Sequence, residues 1–173
     1  MGCLKGIGRL YQIAAIDCYS SFGLAHLYTE KSAKNAADFI LRTSNVFSGL
    51  SIKLENVLTD NGKEFTSHWG STNHIFEVCL KEKDINHRYT KVRHPWTNGY
   101  VERFQYTLLT EFYHKALLEK IYTTLDELQA DLEKYLYFYN FQRTHQGYRL
   151  KGKKPFMLLY NPQYRLALCA NKN

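Results

Sequence analysis

Asn56-Val57-Leu58-Thr59-Asp60-Asn61-Gly62 is a short apolar segment that runs into an acid and then a turn. Val57 and Leu58 read as strand, and Asn61-Gly62 tolerates the positive φ a tight turn needs. An aspartate at the carboxyl end of a buried strand sits where α/β sheets place their ligand crevices. The same residues also suit a plain turn, so the neighbouring segments decide.

Downstream, residues 74–83 read as a short helix and Ile85–Val92 as a strand stopped by Pro95. Thr97-Asn98-Gly99 then caps a helix expected from about Tyr100 to Lys120. Thr124-Leu125-Asp126-Glu127 has the form of a capping box. Behind it, Leu125, Leu128, Leu132, Tyr135/Leu136 and Tyr139 follow the spacing of a buried helical face. Upstream, Leu10–Ile16 and Phe22–Tyr28 read as two strands joined by the polar turn Asp17-Cys18-Tyr19-Ser20-Ser21. Ser32–Phe47 carries Ala33, Ala36, Ala37, Ile40 and Leu41 at helical spacing, with Thr29 or Ser32 as its cap. Hairpin, helix, strand, helix, strand, long helix, helix is an α/β order: a mixed sheet flanked by helices.

A chain of 173 residues is one domain by length, and 45% hydrophobic with 23% charged residues excludes wholesale disorder. No apolar run approaches the ~20 residues of a bilayer span, and Met1 to Arg9 lacks a secretory apolar core. The expectation is a cytoplasmic protein with no membrane partner. The formal charge of +7 favours a polyanionic partner, nucleic acid first. Cys3, Cys18, Cys79 and Cys169 are scattered and expected as free thiols, and the histidines do not join them at zinc-ligand spacing. No GxGxxG or GxxxxGK loop is present, so no small-molecule cofactor is expected.

The second exposed acid lies in His94-Pro95-Trp96-Thr97-Asn98-Gly99-Tyr100-Val101-Glu102-Arg103-Phe104, where Glu102 falls in the first turn of the expected helix. A carboxylate there is also favoured by the helix dipole, so a purely structural role competes. A strand-end TDNG followed by a loop-to-helix P-x-TNG-x-x-E resembles the catalytic core of the DDE transposase and retroviral-type integrase superfamily, with bacterial insertion-sequence transposases nearest. Ala15-Ile16-Asp17-Cys18-Tyr19-Ser20 matches its IDxxS strand. Tyr139-Asn140-Phe141-Gln142-Arg143-Thr144-His145, with Gly152-Lys153-Lys154-Pro155 beyond, matches a YNxxRxH…G-x-x-P ending. The likeness runs from about Ile7 to Leu159, with residues 1–160 as the core and 161–173 as a tail.

The resemblance implies a ribonuclease-H-like fold and an acidic triad holding two Mg²⁺ or Mn²⁺ ions, with Asp60 and Glu102 as the second and third acids. Hard cations of this kind prefer carboxylate oxygens and suit in-line attack on phosphorus. It also implies DNA partners (element ends and target), a homo-oligomer, and a nucleoid location when bound. The 41 residues between the two acids exceed the retroviral spacing, and Ser67–His74 reads as a surface insertion that accounts for the excess. Lys91, Arg93, His94 and Arg103 surround the site and suit phosphate contact, as do Lys151, Lys153 and Lys154. Arg143 and His145 either touch DNA or pin the tail to the core. Asn61, Gly62, Asn98 and Gly99 read as backbone-shaping, and Glu64 as a solvated loop residue, with an extra acid of the site as the alternative.

The family's first acid lies on its opening strand, whereas Asp17 matches the IDxxS aspartate of the second strand and reads as a turn cap. Met1–Gly8 holds no Asp or Glu and no room for a full strand. The expectation is a chain that begins just past the first ligand, lacks the central strand, and is weakly stable and catalytically deficient. Two rivals stand beside a recombining phosphotransferase: a non-catalytic DNA-binding or dimerisation remnant, and a ribonuclease-H-type nuclease, against which the TNG-x-x-E helix and the YNxxRxH tail argue. Assaying the chain with Mg²⁺ and DNA ends should give no strong strand transfer; a strong rate overturns the deficiency.

Overall fold

The computed structural model describes residues 3–4, 8–67, 74–90 and 99–160. Strand β1 (Cys3–Leu4) pairs antiparallel with β2 (Gly8–Arg9), where Gly8 takes a φ of +88°. After Leu10, β3 (Tyr11–Ile16) pairs antiparallel with β4 (Gly23–Tyr28), Tyr11 opposite Tyr28 and Ile16 opposite Gly23. Helix α1 (Ala33–Gly49) starts at Ser32, whose hydroxyl accepts from the Asn35 amide. Strand β5 (Asn56–Thr59), helix α2 (Ile75–Glu82) and β6 (Asn86–Tyr89) form a parallel β-α-β unit. Among the described residues the three ladders are not joined by backbone hydrogen bonds, so the expected mixed sheet is present as separate two-stranded pieces.

The long helix expected over residues 100–120 is interrupted. Helix α3 (Gly99–Thr107) passes into a π-helical segment (Leu108–Tyr113) before α4 (His114–Glu119). The widened turn lets the consecutive rings of Phe112 and Tyr113 both enter the core. Helix α5 (Leu125–Phe141) is capped by Thr124, which accepts from the Glu127 amide at 3.3 Å, while the Glu127 carboxylate reaches back to accept from the Thr123 amide at 3.0 Å. Gly152 (φ +83°) and Pro155, the first residue of α6 (Pro155–Leu159), account physically for the spacing of Gly152-Lys153-Lys154-Pro155.

Side chains of β3 alternate between two cores. Ala14 and Ile16 face a cluster built from Phe104, Leu108, Leu128, Leu132, Leu136 and Tyr139 of the helices that follow residue 99. Ile13 faces the opposite cluster of Ala36, Ala37, Ile40, Phe76 and Leu80, against which Val57 of β5 also packs. The result is an α/β architecture with helices on both sides of the hairpin. None of the described helices is long and apolar enough to cross a membrane.

The edge of β4 not paired to β3 is covered by α5. Asn140 accepts from the Gly23 amide and donates to the Gly23 carbonyl, both at 2.8 Å, and Gln129 accepts from the Leu27 amide at 2.9 Å. Two side-chain amides thus satisfy buried strand groups that would otherwise be orphaned. Beyond α5 the chain is held by Arg143, whose Nε and Nη2 grip Glu111 at 2.8 and 2.5 Å, with the Tyr135 hydroxyl donating to the same carboxylate. His145 is buried; its Nε2 meets the Tyr139 carbonyl at 3.1 Å, and its backbone bridges to Lys153.

Truncation of Asn140 to Ala should cost about 2–6 kcal/mol, since two buried backbone groups lose their partners at about 1–3 kcal/mol each; the urea midpoint measures it. The clasp also carries an acid dependence. Burial holds the His145 imidazole below its ordinary 6.5, with the Arg143 charge adding. Burial alone would raise the Glu111 carboxyl, but Arg143 and Tyr135 outweigh it and hold it below 4.5. Both folded values are depressed, so each stabilises above the unfolded value and loses its contribution as pH falls. Urea midpoints should therefore drop below pH 6.5 and again below pH 4.5, and Glu111→Gln should flatten the lower step.

Candidate active site

Asp60 directly follows β5 and is exposed. Its Oδ1 accepts from the Gly62 amide at 2.9 Å, and the Gly62 carbonyl accepts from the amides of Phe65 and Thr66. The turn is therefore real, as the simple reading of Asp60-Asn61-Gly62 has it, and it leaves Oδ2 without a partner among the described residues. Gly62 is required for closeness: a Cβ there would lie 2.7 Å from the Glu64 carboxylate. Glu64 is a correction to the sequence reading. It is 9% exposed rather than solvated, because Lys31 on the approach to α1 pairs with it at 2.8 Å. The hydrogen bond to Glu64 raises the Lys31 ammonium, burial works weakly against it, and the Glu64 and Asp60 charges add to the rise. The signal missed was the Gly-x-Glu spacing, which lets an acid fold back over a residue with no side chain.

Glu102 is exposed in the first turn of α3, where the helix dipole favours a carboxylate. Two residues on, Phe104 is buried against Gly23, whose absent Cβ would come within 2.5 Å of its ring, and against Tyr139 at a ring separation of 5.0 Å. That packing fixes the helix carrying Glu102. Neither Asp60 nor Glu102 forms an ion pair among the described residues. Asp17 is occupied as a turn cap: its Oδ2 accepts from the Ser20 amide at 2.7 Å and the Ser20 hydroxyl at 2.5 Å. Among the described residues no group of three or more His, Cys, Asp or Glu side chains is gathered as a metal site. The oxygen donors of Asp60 and Glu102 suit a hard cation, which also accepts water and substrate phosphate as ligands; the described residues add no third carboxylate to them.

Of the expected phosphate contacts, Lys91, Arg93 and His94 lie outside the described residues, as does Asn98. Arg103 is exposed beside Glu102 on α3. The fork onto Glu111 makes Arg143 a pin for the segment after α5, and His145, in contact with the Tyr139 carbonyl and with Arg143, is another. Lys151, with a φ of +44°, and Lys153 ride exposed on the bend before α6, and Lys154 is half-buried. Arg149 was not singled out from sequence. It donates to the Cys18 carbonyl at 2.7 Å and lies over the rings of Tyr19 and Tyr148, tying this bend to the Asp17 turn.

The integrase core domain family matches residues 1–95 and again 83–152. A curated relative, "Putative integrase ORF3" of Spiroplasma virus SpV1-C74, is 33% identical over 160 residues, covering 87% of this chain and 42% of that protein. The chain thus spans about two fifths of that relative's length. Among solved structures, a simian T-cell lymphotropic virus intasome in complex with PP2A regulatory subunit B56 gamma superposes with a TM-score of 0.64 at 18% identity, over 94% of this chain and 57% of that one. The catalytic core domain of BIV integrase superposes at 0.59 with 21% identity, over 94% and 90%. The fold is that of integrase catalytic cores, ribonuclease-H-like, as the motifs led one to expect.

Gly62→Ala should expel the Glu64 carboxylate and break its pair with Lys31. The pair's cation is exposed, so the loss is about 0.5–1 kcal/mol. In a double-mutant cycle, adding Glu64→Ala to Gly62→Ala should cost almost nothing further; independent effects would show that the glycine acts otherwise.

Proposed function

The chain belongs to the integrase core domain family, whose members serve DNA integration and transposition, and from this we propose that Asp60 and Glu102 are the metal-bearing carboxylates of a DNA strand-cleaving and strand-joining core. The observation that carries the reading is their placement. One acid follows a parallel strand, the other lies in the first turn of a helix, and both are exposed and form no ion pair among the described residues. Residues 1–160 form the core and 161–173 the tail.

Mg²⁺ or Mn²⁺, two ions in a complete site, would polarise the phosphoryl oxygens and favour in-line attack on phosphorus. Around them the chain's own residues divide the work. Asp60 and Glu102 offer anionic oxygens; the Gly62 amide fixes the rotamer of Asp60; Phe104 anchors the helix of Glu102. Of the cations singled out from sequence, Arg103, Lys151 and Lys153 are exposed and open to a DNA backbone, and Lys154 is half-buried. Such contacts position a duplex without reading its sequence. Like the viral intasome it superposes on, the protein works as an assembly of copies on DNA.

A second reading keeps the fold without the chemistry: a DNA-binding or dimerisation remnant. The absence of a third carboxylate beside the pair among the described residues favours it. The two readings separate in one set of measurements. Mn²⁺ should broaden the amide resonances around Asp60 and Glu102, and Asp60→Asn should abolish this. DNA binding without site-specific broadening leaves the remnant, and loss of both overturns the family function for this chain. Replacing Lys151, Lys153 and Lys154 by Ala should shallow the log–log salt slope of DNA affinity by up to about 2.7, at about 0.9 per phosphate contact.

A further inference from the structure

Behind Asp60 runs a hydrogen-bonded chain that its turn does not need. The hydroxyl of Thr59, itself buried, donates to the Asp60 carbonyl at 2.9 Å. The same hydroxyl oxygen lies 2.8 Å from His87 Nε2, the tautomer of the ring setting which of the two donates. On the other side of the ring, Nδ1 meets Glu77 Oε1 at 2.7 Å, and the Tyr89 hydroxyl donates to that same oxygen. The His87 side chain is only 7% exposed, walled by Phe76 and by Tyr89, whose ring centroid lies 4.2 Å away.

We propose that His87, oriented by Glu77, is a positioning residue that holds Asp60 in place through the hydroxyl of Thr59. This rests on the reading of Asp60 as a metal-bearing carboxylate, although the anchoring itself can be measured without metal. A buried histidine more often just satisfies its own ring. Here the chain ends on the one peptide whose orientation aims the candidate ligand. The Thr59 carbonyl accepts from the Thr90 amide at 2.8 Å, the Asp60 carbonyl from the Thr59 hydroxyl, and Asp60 Oδ1 from the Gly62 amide. Rotating the Asp60 backbone therefore breaks at least one bond on each side of it. The anchors come from β6 and α2, elements remote in sequence from the turn, so Asp60 is held by the fold and not by its own loop alone. Preorganisation of this kind is what a charge-bearing site requires of its supporting residues.

The test compares an isosteric loss with a conservative replacement in the full chain. Thr59→Val keeps the shape and removes the hydroxyl, whereas Thr59→Ser keeps the hydroxyl. Amide exchange at Gly62 should accelerate about tenfold in Thr59→Val and in His87→Ala, the worth of about one net hydrogen bond. Thr59→Ser should stay within about twofold of wild type, and the double variant Thr59→Val/His87→Ala should be no worse than either alone. Exchange within α1 monitors the core and should not change. Equal behaviour of the Val and Ser variants, or acceleration spread evenly into α1, overturns the proposal. Mn²⁺ broadening at Asp60 in the wild-type chain is read in the same samples. Its absence there sinks the metal reading and leaves the anchor standing, whereas its retention at full strength in Thr59→Val sinks the anchor's role in placing the ligand.

Discussion

Three elements meet at Gly23, and the arrangement depends on that residue having no side chain. Phe104 presses its ring onto the Gly23 Cα from α3, and Asn140 pairs with both backbone polar groups of Gly23 from α5. A methyl group there would lie 2.5 Å from the ring. Either the ring would leave the core or the strand would leave the amide, and each of those contacts is buried. An edge strand normally invites another strand. In this molecule two side-chain amides take that place, and the helix carrying Glu102 is locked to the sheet as a consequence.

The YNxxRxH ending has a compact physical account. Tyr139 offers its carbonyl to His145 and its ring to Phe104 and His145. Asn140 pairs with Gly23, Arg143 forks onto the π segment through Glu111, and the His145 backbone bridges to Lys153. Each conspicuous residue of the motif is thereby committed to an internal partner, and the segment from Arg143 to Lys153 lies back along the core. A motif read only as a family mark would suggest a ligand role for its arginine. The geometry instead makes it the pin for a segment whose lysines remain exposed.

Legibility followed the range of the interaction. The β3–β4 hairpin, the caps of α1 and α5, the Asp17 turn and the apolar stripe of α5 depend on neighbours a few residues away, and their residue types announce them. The burial of Glu64 depends on Lys31, and the chain behind Asp60 on residues of α2 and β6, so local pattern carried no sign of either. The π segment has no cap or breaker to mark it; it exists because Phe112 and Tyr113 both find room inside. For the site, residue type and spacing single out Asp60 and Glu102 as candidates, and the turn-cap reading of Asp17 matches its bonds to Ser20. Sequence leaves Arg143 and His145 open between two roles, which only their partners could decide.

Asp60 and Glu102 are supported by different cores, and this bears on how their separation is maintained. The turn of Asp60 rests on β5, whose Val57 packs with α1 and α2; the helix of Glu102 rests on the cluster built around Phe104 and α5. The two cores share a wall in β3, which turns Ile13 toward one and Ala14 and Ile16 toward the other. Well-packed interiors transmit displacement instead of absorbing it. A change of volume in either core therefore reaches its own acid directly and the other only through β3. β3 is thus the strand on which the packing beneath Asp60 and the packing beneath Glu102 meet.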